Sequence, residues 1–291
     1  MYQFDRMIQG SRAVPESASP LLAGNSLSVQ SLRQLVALAA SSADPVLITG
    51  PDGAGKQTLA KVIHVHSPFA TCPFIETSGG SFSKDHLMAR WEGSYYLQDI
   101  QSLPVPAQHR LLTWLDSENA MSVKLIASSD GLDDKDHIIA PLRLRLHRLR
   151  LPCPALIQRR GDVAVILQRL WAEDRDHAPP VLDDEAWAVL LKDDWAGNYR
   201  ALKDFAAKSV RLFGGRNVTV EQIRKLLRGH SERQLCAGNF DLKQHLAQEE
   251  KRYLIEALLR SNGVVAAAAG LAGLQRTTFI AKMKRHGLAR I

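Results

Sequence analysis

One stretch decides the fold of this chain: Val46-Leu47-Ile48-Thr49-Gly50-Pro51-Asp52-Gly53-Ala54-Gly55-Lys56-Gln57-Thr58-Leu59. A short apolar run ends at Gly50, and apolar positions at helical spacing follow Lys56. A strand, a glycine-rich turn and a helix in this order are typical of a P-loop. In a P-loop, backbone N–H groups converge on phosphate oxygens and the lysine reaches the terminal phosphates. The predicted phosphate-binding residues are Gly50, Asp52, Gly53, Ala54, Gly55, Lys56, Gln57 and Thr58.

One position in this loop departs from the P-loop pattern. The serine or threonine that normally follows the lysine and holds Mg²⁺ is Gln57 here, and a hydroxyl comes one place later, at Thr58. The alternative interpretation is a glycine turn that precedes a helix by chance. Because a strand and a helix both flank the turn, the pattern favours a phosphate site and leaves open whether Mg²⁺ accompanies the phosphate.

The composition is that of an ordinary globular protein with an excess of positive charge. The 291 residues are 45% hydrophobic and 23% charged, and the formal net charge is +7. This excess favours a polyanionic partner, whereas an aromatic content of 6% argues against a stacking platform for single-stranded nucleic acid. Cys72, Cys153 and Cys236 have no paired spacing, which predicts reduced thiols and no disulfide frame or zinc site.

No stretch of the sequence predicts a membrane segment. The first ten residues carry Asp5 and Arg6 and lack an apolar core, so they do not resemble a signal peptide. The apolar run Val264 to Leu274 is too short to cross a bilayer. We therefore expect a cytoplasmic protein that does not bind membranes.

Residues 21–155 alternate between strand-like and helix-like stretches. The predicted elements are a helix at 29–40, strands at 46–49, 73–76, 94–97 and 123–128, and a helix at 107–115. Such alternation predicts an α/β domain with a parallel sheet, in which ligands bind at the carboxyl ends of the strands. Residues 1–20 are polar, contain two prolines and show no periodicity, and are expected to form a flexible leader.

The second half of the chain is predicted to be helical. Residues 156–228 form a small helical domain, in which Asp162 is expected to cap the helix that follows it. Glycine, serine and asparagine mark residues 229–240 as a linker. Residues 241–291 then contain a long amphipathic segment and two short helices separated by Gly273, which are the proportions of a helix–turn–helix.

These features resemble a known family, the AAA+ activators of sigma-54, which are also called bacterial enhancer-binding proteins. The resemblance covers roughly Leu21 to Ile291 and rests on the loop through Lys56, on Leu156 to Val163, on Trp195 to Arg200 and above all on Gly263 to Lys284. It implies a P-loop AAA+ parallel sheet with helices on both faces and a helical lid subdomain. It also implies a C-terminal, all-α, Fis-type helix–turn–helix.

The resemblance also implies roles for individual residues. Arg200 matches the lid arginine that senses the nucleotide phosphates, and Arg145 matches the second of two arginine fingers that act on a neighbouring subunit. In this family Gln57 falls where a glutamate usually stands, so its presence does not weaken the prediction of a nucleotide site. The implied cofactor is ATP or ADP.

Three positions depart from the family in ways that affect hydrolysis. Gln98 replaces the aspartate that organises Mg²⁺, and Asp99 replaces the longer glutamate that polarises water. Ile139 stands at the first arginine-finger position, so one transition-state cation is missing. Together these changes predict that ATP hydrolysis is lost or severely weakened, with Asp99 and Arg145 as the remaining catalytic candidates.

The largest departure is a missing loop. The family inserts a long loop with the motif Gly-Ala-Phe-Thr-Gly-Ala between the second and third strands, where it grips sigma-54. Here Thr77 to Glu92 leads almost directly from one strand to the next, and the motif occurs nowhere in the sequence. We also expect that no receiver or sensor domain precedes Leu21. We therefore expect a degenerate member that does not remodel sigma-54 polymerase.

The C-terminus predicts a double-stranded DNA partner. Hydroxyl, amide and basic residues cluster on the second short helix, where recognition helices contact bases and phosphates. The predicted DNA-binding residues are Gln275, Arg276, Thr277, Thr278, Lys282, Lys284 and Arg285. The alternative is a solvated cationic face without a ligand.

The segment before these helices predicts how the DNA-binding units pair. An apolar stripe of Leu246, Tyr253, Leu254, Ala257 and Leu258 favours a homodimer, and packing within one chain is the alternative. A higher homo-oligomer is also compatible with the resemblance.

Three functional hypotheses remain. The first is a sequence-specific DNA-binding transcriptional regulator with a degenerate AAA+ nucleotide-binding module. The second is an active ATPase in which Asp99 alone serves both metal and water. The third is a structural partner of a competent AAA+ regulator, without a nucleotide. Contact with RNA polymerase is compatible with all three.

Overall fold

The computed structural model describes residues 14–82, 92–117, 120, 122–130, 138–234, 250, 253–255, 257, 258, 261, 264–286 and 288. The chain divides into two compact units, Met1–His230 and Ser231–Ile291. We refer to them as the amino-terminal unit and the carboxyl-terminal unit.

Helices and strands alternate along the described chain. In order, they are α1 Leu27–Ser41, β1 Val46–Thr49, α2 Lys56–Val65, β2 Phe74–Ser78, β3 Gly93–Gln98, α3 Val105–Leu115, β4 Val123–Ser129, α4 Ala140–Leu146, β5 Leu149–Pro152, α5 Val163–Glu173, β6 Val181–Leu182, α6 Asp184–Lys192, α7 Asn198–Phe213, β7 Asn217–Val218, α8 Val220–Gln234, α9 Val265–Leu271 and α10 Arg276–Arg285. Short 3₁₀ helices lie at Glu16–Ala18, Pro20–Leu22, Gly79–Ser81, Ile100–Ser102 and Leu156–Asp162.

The first five strands form one parallel sheet with the order β2-β3-β4-β1-β5. Successive side chains of a strand point to opposite faces, so β1 directs Val46 and Ile48 into one core and Leu47 into another. Helices α1 and α2 pack on the first face, and α3 and α4 pack on the second. The predicted parallel sheet with helices on both faces is therefore confirmed.

The structure adds a helix and a strand that the sequence did not predict. Arg143, Arg145, Arg148 and Arg150 alternate with leucines, a pattern that fits an exposed strand edge or a solvated face. The first part of this run is instead α4, because Leu142 and Leu146 are four residues apart and both fully buried. Its second part is β5, the edge strand beside β1.

The predicted flexible leader is wrong for residues 14–20, while residues 1–13 lie outside the described part. Val14 is buried and Pro20–Leu22 forms a 3₁₀ turn whose leucines are fully buried in the main core. The Asp162 carboxylate fixes the end of this segment by accepting hydrogen bonds from the backbone N–H groups of Asn25 and Ser26, both at 3.1 Å. The Asp162 side chain therefore binds the start of α1. The prediction that this side chain caps α5 is wrong.

The helical segment after the sheet contains α5 to α8 and a short parallel pair, β6 and β7. Asp183 caps α6, because its carboxylate accepts a hydrogen bond from the N–H of Ala186 at 2.7 Å. No helix among the described residues is long and apolar enough to cross a membrane. Cys72 and Cys153 are free thiols, and Cys236 lies outside the described residues.

The described part of the carboxyl-terminal unit has a small core of its own. Its buried members are Leu254, Ala257, Leu258, Ala268, Ala269, Phe279 and Leu288. Gly273 lies between α9 and α10 with φ of 64°, a left-handed conformation that glycine adopts without steric cost.

Candidate functional site

The predicted phosphate loop lies between β1 and α2, at the carboxyl edge of the sheet. Gly53 and Gly55 have φ of 70° and 104°, in the left-handed region that side chains other than glycine disfavour. A Cβ on Gly53 would lie 2.2 Å from the carbonyl oxygen of Gly197, so the loop also needs glycine for its close approach to the start of α7. Among the described residues, no side chain caps the amino end of α2, which leaves its positive end for an anion.

Lys56 is buried, and its ammonium group already has three oxygen partners. Its Nζ donates to the carbonyl oxygens of Gly50 at 2.8 Å and Pro51 at 3.2 Å, and to Asp130 Oδ1 at 2.6 Å. A lysine ammonium has three N–H donors, so all of them have a partner here. A phosphate oxygen that accepts a hydrogen bond from Lys56 must therefore displace one of these three acceptors.

The two residues after the lysine differ in what they contact. The Gln57 amide donates to Glu76 Oε2 on β2 at 2.5 Å, and Lys61 pairs with the same carboxylate at 2.9 Å. Gln57 is therefore engaged with the neighbouring strand, although it also borders the cleft. Thr58 is half-buried and lines the cleft.

Helix α7 contributes Arg200 to the same place. Its guanidinium forms a bidentate pair with Asp52, with Nη1–Oδ2 at 3.1 Å and Nη2–Oδ1 at 2.8 Å. Its backbone N–H also donates to the carbonyl oxygen of Gly53 at 2.9 Å, and the Asn198 amide donates to that of Asp52 at 2.8 Å. These contacts bring Arg200 next to the loop, although the two are far apart along the chain, and its role in sensing phosphates stays a prediction.

The far wall of the cleft is acidic. Asp99 follows β3 with φ of 53°, and burial, followed by the nearby charge of Asp130, raises the pKa of its carboxyl above the usual value. Tyr96 lies beside it and donates to the Ser128 hydroxyl at 2.9 Å, and burial raises its pKa to about 12. The cleft has a volume of about 250 Å³ and is lined by Asp52, Gly53, Ala54, Gly55, Lys56, Gln57, Thr58, Tyr96, Gln98, Asp99, Asp130, Tyr199, Arg200 and Lys203.

This donor set suits a phosphate more clearly than it suits a metal. The glycine loop, the open end of α2 and the cations Lys56 and Arg200 fit phosphate oxygens. A hydrated Mg²⁺ prefers carboxylates at near-octahedral positions, and the cleft offers Asp99 and Asp130 beside the neutral Gln98. Within the described residues, no cluster of three or more histidine, cysteine, aspartate or glutamate side chains could hold a metal ion.

Arg145, the other predicted catalytic residue, lies in a separate groove. Its Nη2 pairs with Asp116 Oδ1 at 3.2 Å and donates to the carbonyl oxygen of Leu115 at 3.4 Å. This groove also contains the buried Lys124, whose pKa burial lowers to about 8. Arg145 does not line the cleft of its own subunit, so its role as a finger for a neighbour stays a prediction.

Sequence reasoning missed Asp130, the carboxylate that contacts Lys56. Together with Asp133, Asp134 and Asp136, Asp130 forms an acidic run that is typical of a solvated loop, and these three other aspartates lie outside the described residues. The available signal was its position directly after β4, because neighbouring parallel strands end at the same edge as the phosphate loop.

The carboxyl-terminal unit displays most of the predicted DNA-binding residues on one helix. Gln275 precedes α10, and it is exposed together with Arg276, Thr277, Thr278, Lys284 and Arg285. The buried Phe279 anchors the helix from its opposite side. The arrangement presents amide, hydroxyl and cationic groups to solvent at the start and end of α10.

Lys282 differs from its neighbours because it is half-buried and pairs with Glu250. Glu250 also binds His286, with Oε2–Nε2 at 2.9 Å. The hydrogen bonds from Lys282 and then from His286 lower the pKa of Glu250 to about 2. Lys282 therefore joins α10 to the preceding helical segment, which reduces its availability to DNA.

The residues of the apolar stripe that was predicted to form a dimer lie in two different environments. Leu254, Ala257 and Leu258 are buried in the core of their own unit, as the alternative interpretation expected. Tyr253 is 60% exposed, and Leu246 lies outside the described residues. Of the stripe residues that the structure describes, Tyr253 is the one exposed to a second copy.

Comparison with known proteins matches both units to families. Residues 23–154 match the sigma-54 interaction domain, and residues 245–286 match the bacterial regulatory proteins of the Fis family. The PTS-dependent dihydroxyacetone kinase operon regulatory protein of Escherichia coli K12 is 28% identical, over 86% of this chain and 45% of that protein. HyfR, a DNA-binding transcriptional activator of the same strain, is 25% identical over 91% of this chain and 47% of its own length. The chain thus spans about half the length of these two relatives.

The fold also matches solved structures. The crystal structure of NtrX from Brucella abortus in complex with ADP has a TM-score of 0.59 and is 23% identical, over 98% of this chain and 72% of that chain. At this level of identity the likeness concerns the fold alone. The predicted α/β fold is therefore confirmed, and the family matches confirm the predicted sigma-54 activator resemblance.

Proposed function

This chain combines a sigma-54 interaction domain with a Fis-type helix–turn–helix, and on that premise we propose that it is a sequence-specific DNA-binding transcriptional regulator. Its amino-terminal unit binds a nucleotide but does not remodel sigma-54 polymerase. It regulates promoters by occupying them or by contacting other factors, which include RNA polymerase and related AAA+ regulators. It works in the cytoplasm as a homodimer or a higher homo-oligomer.

The nucleotide part of the proposal rests on the loop before α2. The left-handed Gly53 and Gly55 allow the backbone to approach a ligand closely, and the open helix end favours an anion. Lys56 and Arg200 supply positive charge on two sides of the cleft. The ligand is ATP or ADP, which would contribute the phosphate groups that these residues hold.

The proposal that this chain does not remodel sigma-54 polymerase rests mainly on two side chains at the end of β3, Gln98 and Asp99. Gln98 borders the cleft where the family resemblance places the aspartate that organises Mg²⁺, and a neutral amide does not supply its charge. Asp99 is one methylene shorter than the glutamate expected there. A displacement of about 1 Å in a reacting group can lower a rate by about 10²-fold.

Two further features support the same conclusion. Only residues 79–92 separate β2 from β3, and the Gly-Ala-Phe-Thr-Gly-Ala motif that grips sigma-54 in the family occurs nowhere in the sequence. Ile139 occupies the first arginine-finger position and cannot supply a cation.

The test combines binding, turnover and transcription. Fluorescent ATP and ADP should bind the full chain and bind Lys56→Ala much more weakly, while ATP turnover should not exceed that of Lys56→Ala. The protein should also fail to drive ATP-dependent open-complex formation by sigma-54 polymerase at its own mapped sites. Open complexes that depend on ATP and on this protein would overturn the proposal.

A second candidate, an active ATPase, is favoured by one observation: Asp99 and Asp130 place two carboxylates in the same cleft as Lys56. In that case the Asp99 carboxylate would both hold the metal ion and polarise the attacking water. Turnover that both Lys56→Ala and Asp99→Ala abolish would establish it. Absence of any nucleotide binding would instead favour the third hypothesis, a structural partner of a competent AAA+ regulator.

The DNA part of the proposal rests on the exposed amino end of α10. Arg276, Thr277 and Thr278 lie there in solvent, where a recognition helix contacts base edges and phosphates. Genome-wide mapping of bound sites, together with transcript changes in a deletion strain, would identify the operator and the direction of regulation. Failure of the full chain to bind any double-stranded site would overturn this part.

A further inference from the structure

We propose that Asp130 makes the nucleotide cleft select a nucleoside diphosphate over a nucleoside triphosphate. The inference rests on the proposed nucleotide-binding function and names the class of nucleotide that the cleft takes. It starts from the contact between Lys56 Nζ and Asp130 Oδ1 at 2.6 Å.

Sheet register determines the position of Asp130. β4 lies directly beside β1, Ser129 pairs with Thr49, and the N–H of Gly50 donates to the carbonyl oxygen of Ser129 at 3.2 Å. Asp130 is the next residue, so it emerges beside the first glycine of the loop. Its carboxylate consequently reaches the lysine from the strand edge and not from the loop or from α2.

Because Asp130 approaches Lys56 from the strand edge, it affects the terminal phosphate position more than the positions held by the loop. In a P-loop, the backbone N–H groups of the loop cradle the α- and β-phosphates, whereas the lysine reaches the β- and γ-phosphates. Asp130 contacts the lysine but forms no hydrogen bond with the loop backbone among the described contacts. The Asp130 carboxylate therefore competes with a γ-phosphate for Lys56, and it leaves the backbone N–H groups of the loop accessible to the α- and β-phosphates.

The charges of the cleft reinforce this preference. Asp52, Asp99 and Asp130 face three cations, Lys56, Arg200 and Lys203, and Arg200 is already paired with Asp52. Burial, followed by the nearby charge of Asp130, raises the pKa of Asp99, so negative charge already acts on a carboxyl group of this cleft. A γ-phosphate adds further negative charge next to two carboxylates, and like charges in contact disfavour binding strongly.

The experiment measures the affinities of the full chain for ADP and ATP by calorimetry, with and without Mg²⁺. Wild type should bind ADP more tightly than ATP. In Asp130→Asn, which keeps the shape but removes the charge, the ratio of ATP to ADP affinity should rise about tenfold or more. Asp130→Ala should shift the ratio in the same direction. Because the Asp130 side chain is 58% exposed, we expect both variants to fold, and thermal unfolding checks this.

A matched control comes from another ion pair of the same unit. Asp194 pairs with Arg160 at the surface and does not line the cleft, so Asp194→Asn should leave the affinity ratio unchanged. A change in the ratio as large as that of Asp130→Asn would overturn the inference, because the effect would then come from net charge alone.

The remaining outcomes separate this inference from the proposed function. If both nucleotides bind and Asp130→Asn leaves their affinity ratio unchanged, the inference fails and nucleotide binding stands. If wild type prefers ATP with Mg²⁺ and Asp130→Asn loses that preference, Asp130 is a metal ligand and the inference also fails. If neither nucleotide binds wild type or either Asp130 variant, the inference fails together with the nucleotide part of the proposed function.

Discussion

The proposed nucleotide cleft and helix α10 both contain lysine and arginine side chains, but they present these cations in different ways. In the cleft, Lys56 is paired with Asp130 and Arg200 with Asp52, so a ligand must compete with the protein's own carboxylates. On α10, the described residues provide no ion pair to Arg276 or Lys284, whose charges face solvent. The first site can therefore be selective between anions, whereas the second can attract any polyanion before it reads a sequence.

The largest expected effect tests how the recognition helix is held. Phe279 is fully buried in the small core of the carboxyl-terminal unit, so Phe279→Ala should destabilise this unit by about 3–5 kcal/mol. DNA binding should be lost while nucleotide binding persists. Urea unfolding combined with both binding assays measures this.

Leu271→Ala is the control for that change, because Leu271 is a large apolar residue of the same unit that is largely exposed. Its effect on unfolding should stay within about 0.5 kcal/mol. If Phe279→Ala abolished nucleotide binding as well, the two sites would not be independent and the comparison above would not hold.

The next largest effect concerns the cleft. Lys56→Ala should weaken ADP binding by about 100-fold, since a hydrogen bond to a charged group is worth about 1.5–3 kcal/mol. Lys61→Ala, on the same helix but paired with Glu76, should have little effect on affinity. Equal losses in the two variants would mean that general positive charge, and not a defined phosphate contact, holds the nucleotide.

A smaller effect is expected at the start of α10. Arg276→Ala should cost about 1–3 kcal/mol of binding to the specific site if the side chain reads a base edge. Lys282→Ala should cost less, because Glu250 already holds that ammonium group. Gel-shift titrations on specific and unrelated duplexes measure both. An equal loss on every sequence would show that Arg276 touches phosphate only.

The smallest effect is a pH dependence within the carboxyl-terminal unit. The pKa of Glu250 is lowered from 4.5 to about 2 in the folded unit, so its contacts stabilise the fold above about pH 4.5. This contribution, about 1 kcal/mol or less for such a partly exposed pair, is lost as the pH falls from 4.5 towards 2. Thermal unfolding at pH 7, 5 and 3 should show the loss, and Glu250→Gln should lack that component of the pH dependence.

Local pattern was sufficient to predict much of the fold. The apolar run before Gly50 predicted β1, the glycines predicted the turn, and the apolar spacing after Lys56 predicted α2. These are short-range properties, because backbone preference and side-chain periodicity act over a few residues. The arginine and leucine run that contains α4 and β5 was ambiguous, because its apolar spacing fits both a strand and a helix. The burial of Leu142 and Leu146, four residues apart, identifies its first part as a helix.

The sequence by itself thus determined the phosphate loop, the alternation of strands and helices, and the basic helix near the C-terminus. Only the tertiary structure decided which carboxylate meets Lys56, which residue Asp162 supports, and that Lys282 is held by Glu250. The physical reason is that strand order and helix packing join residues that are far apart along the chain. Charge pairing depends on that distance in space, which no local pattern specifies.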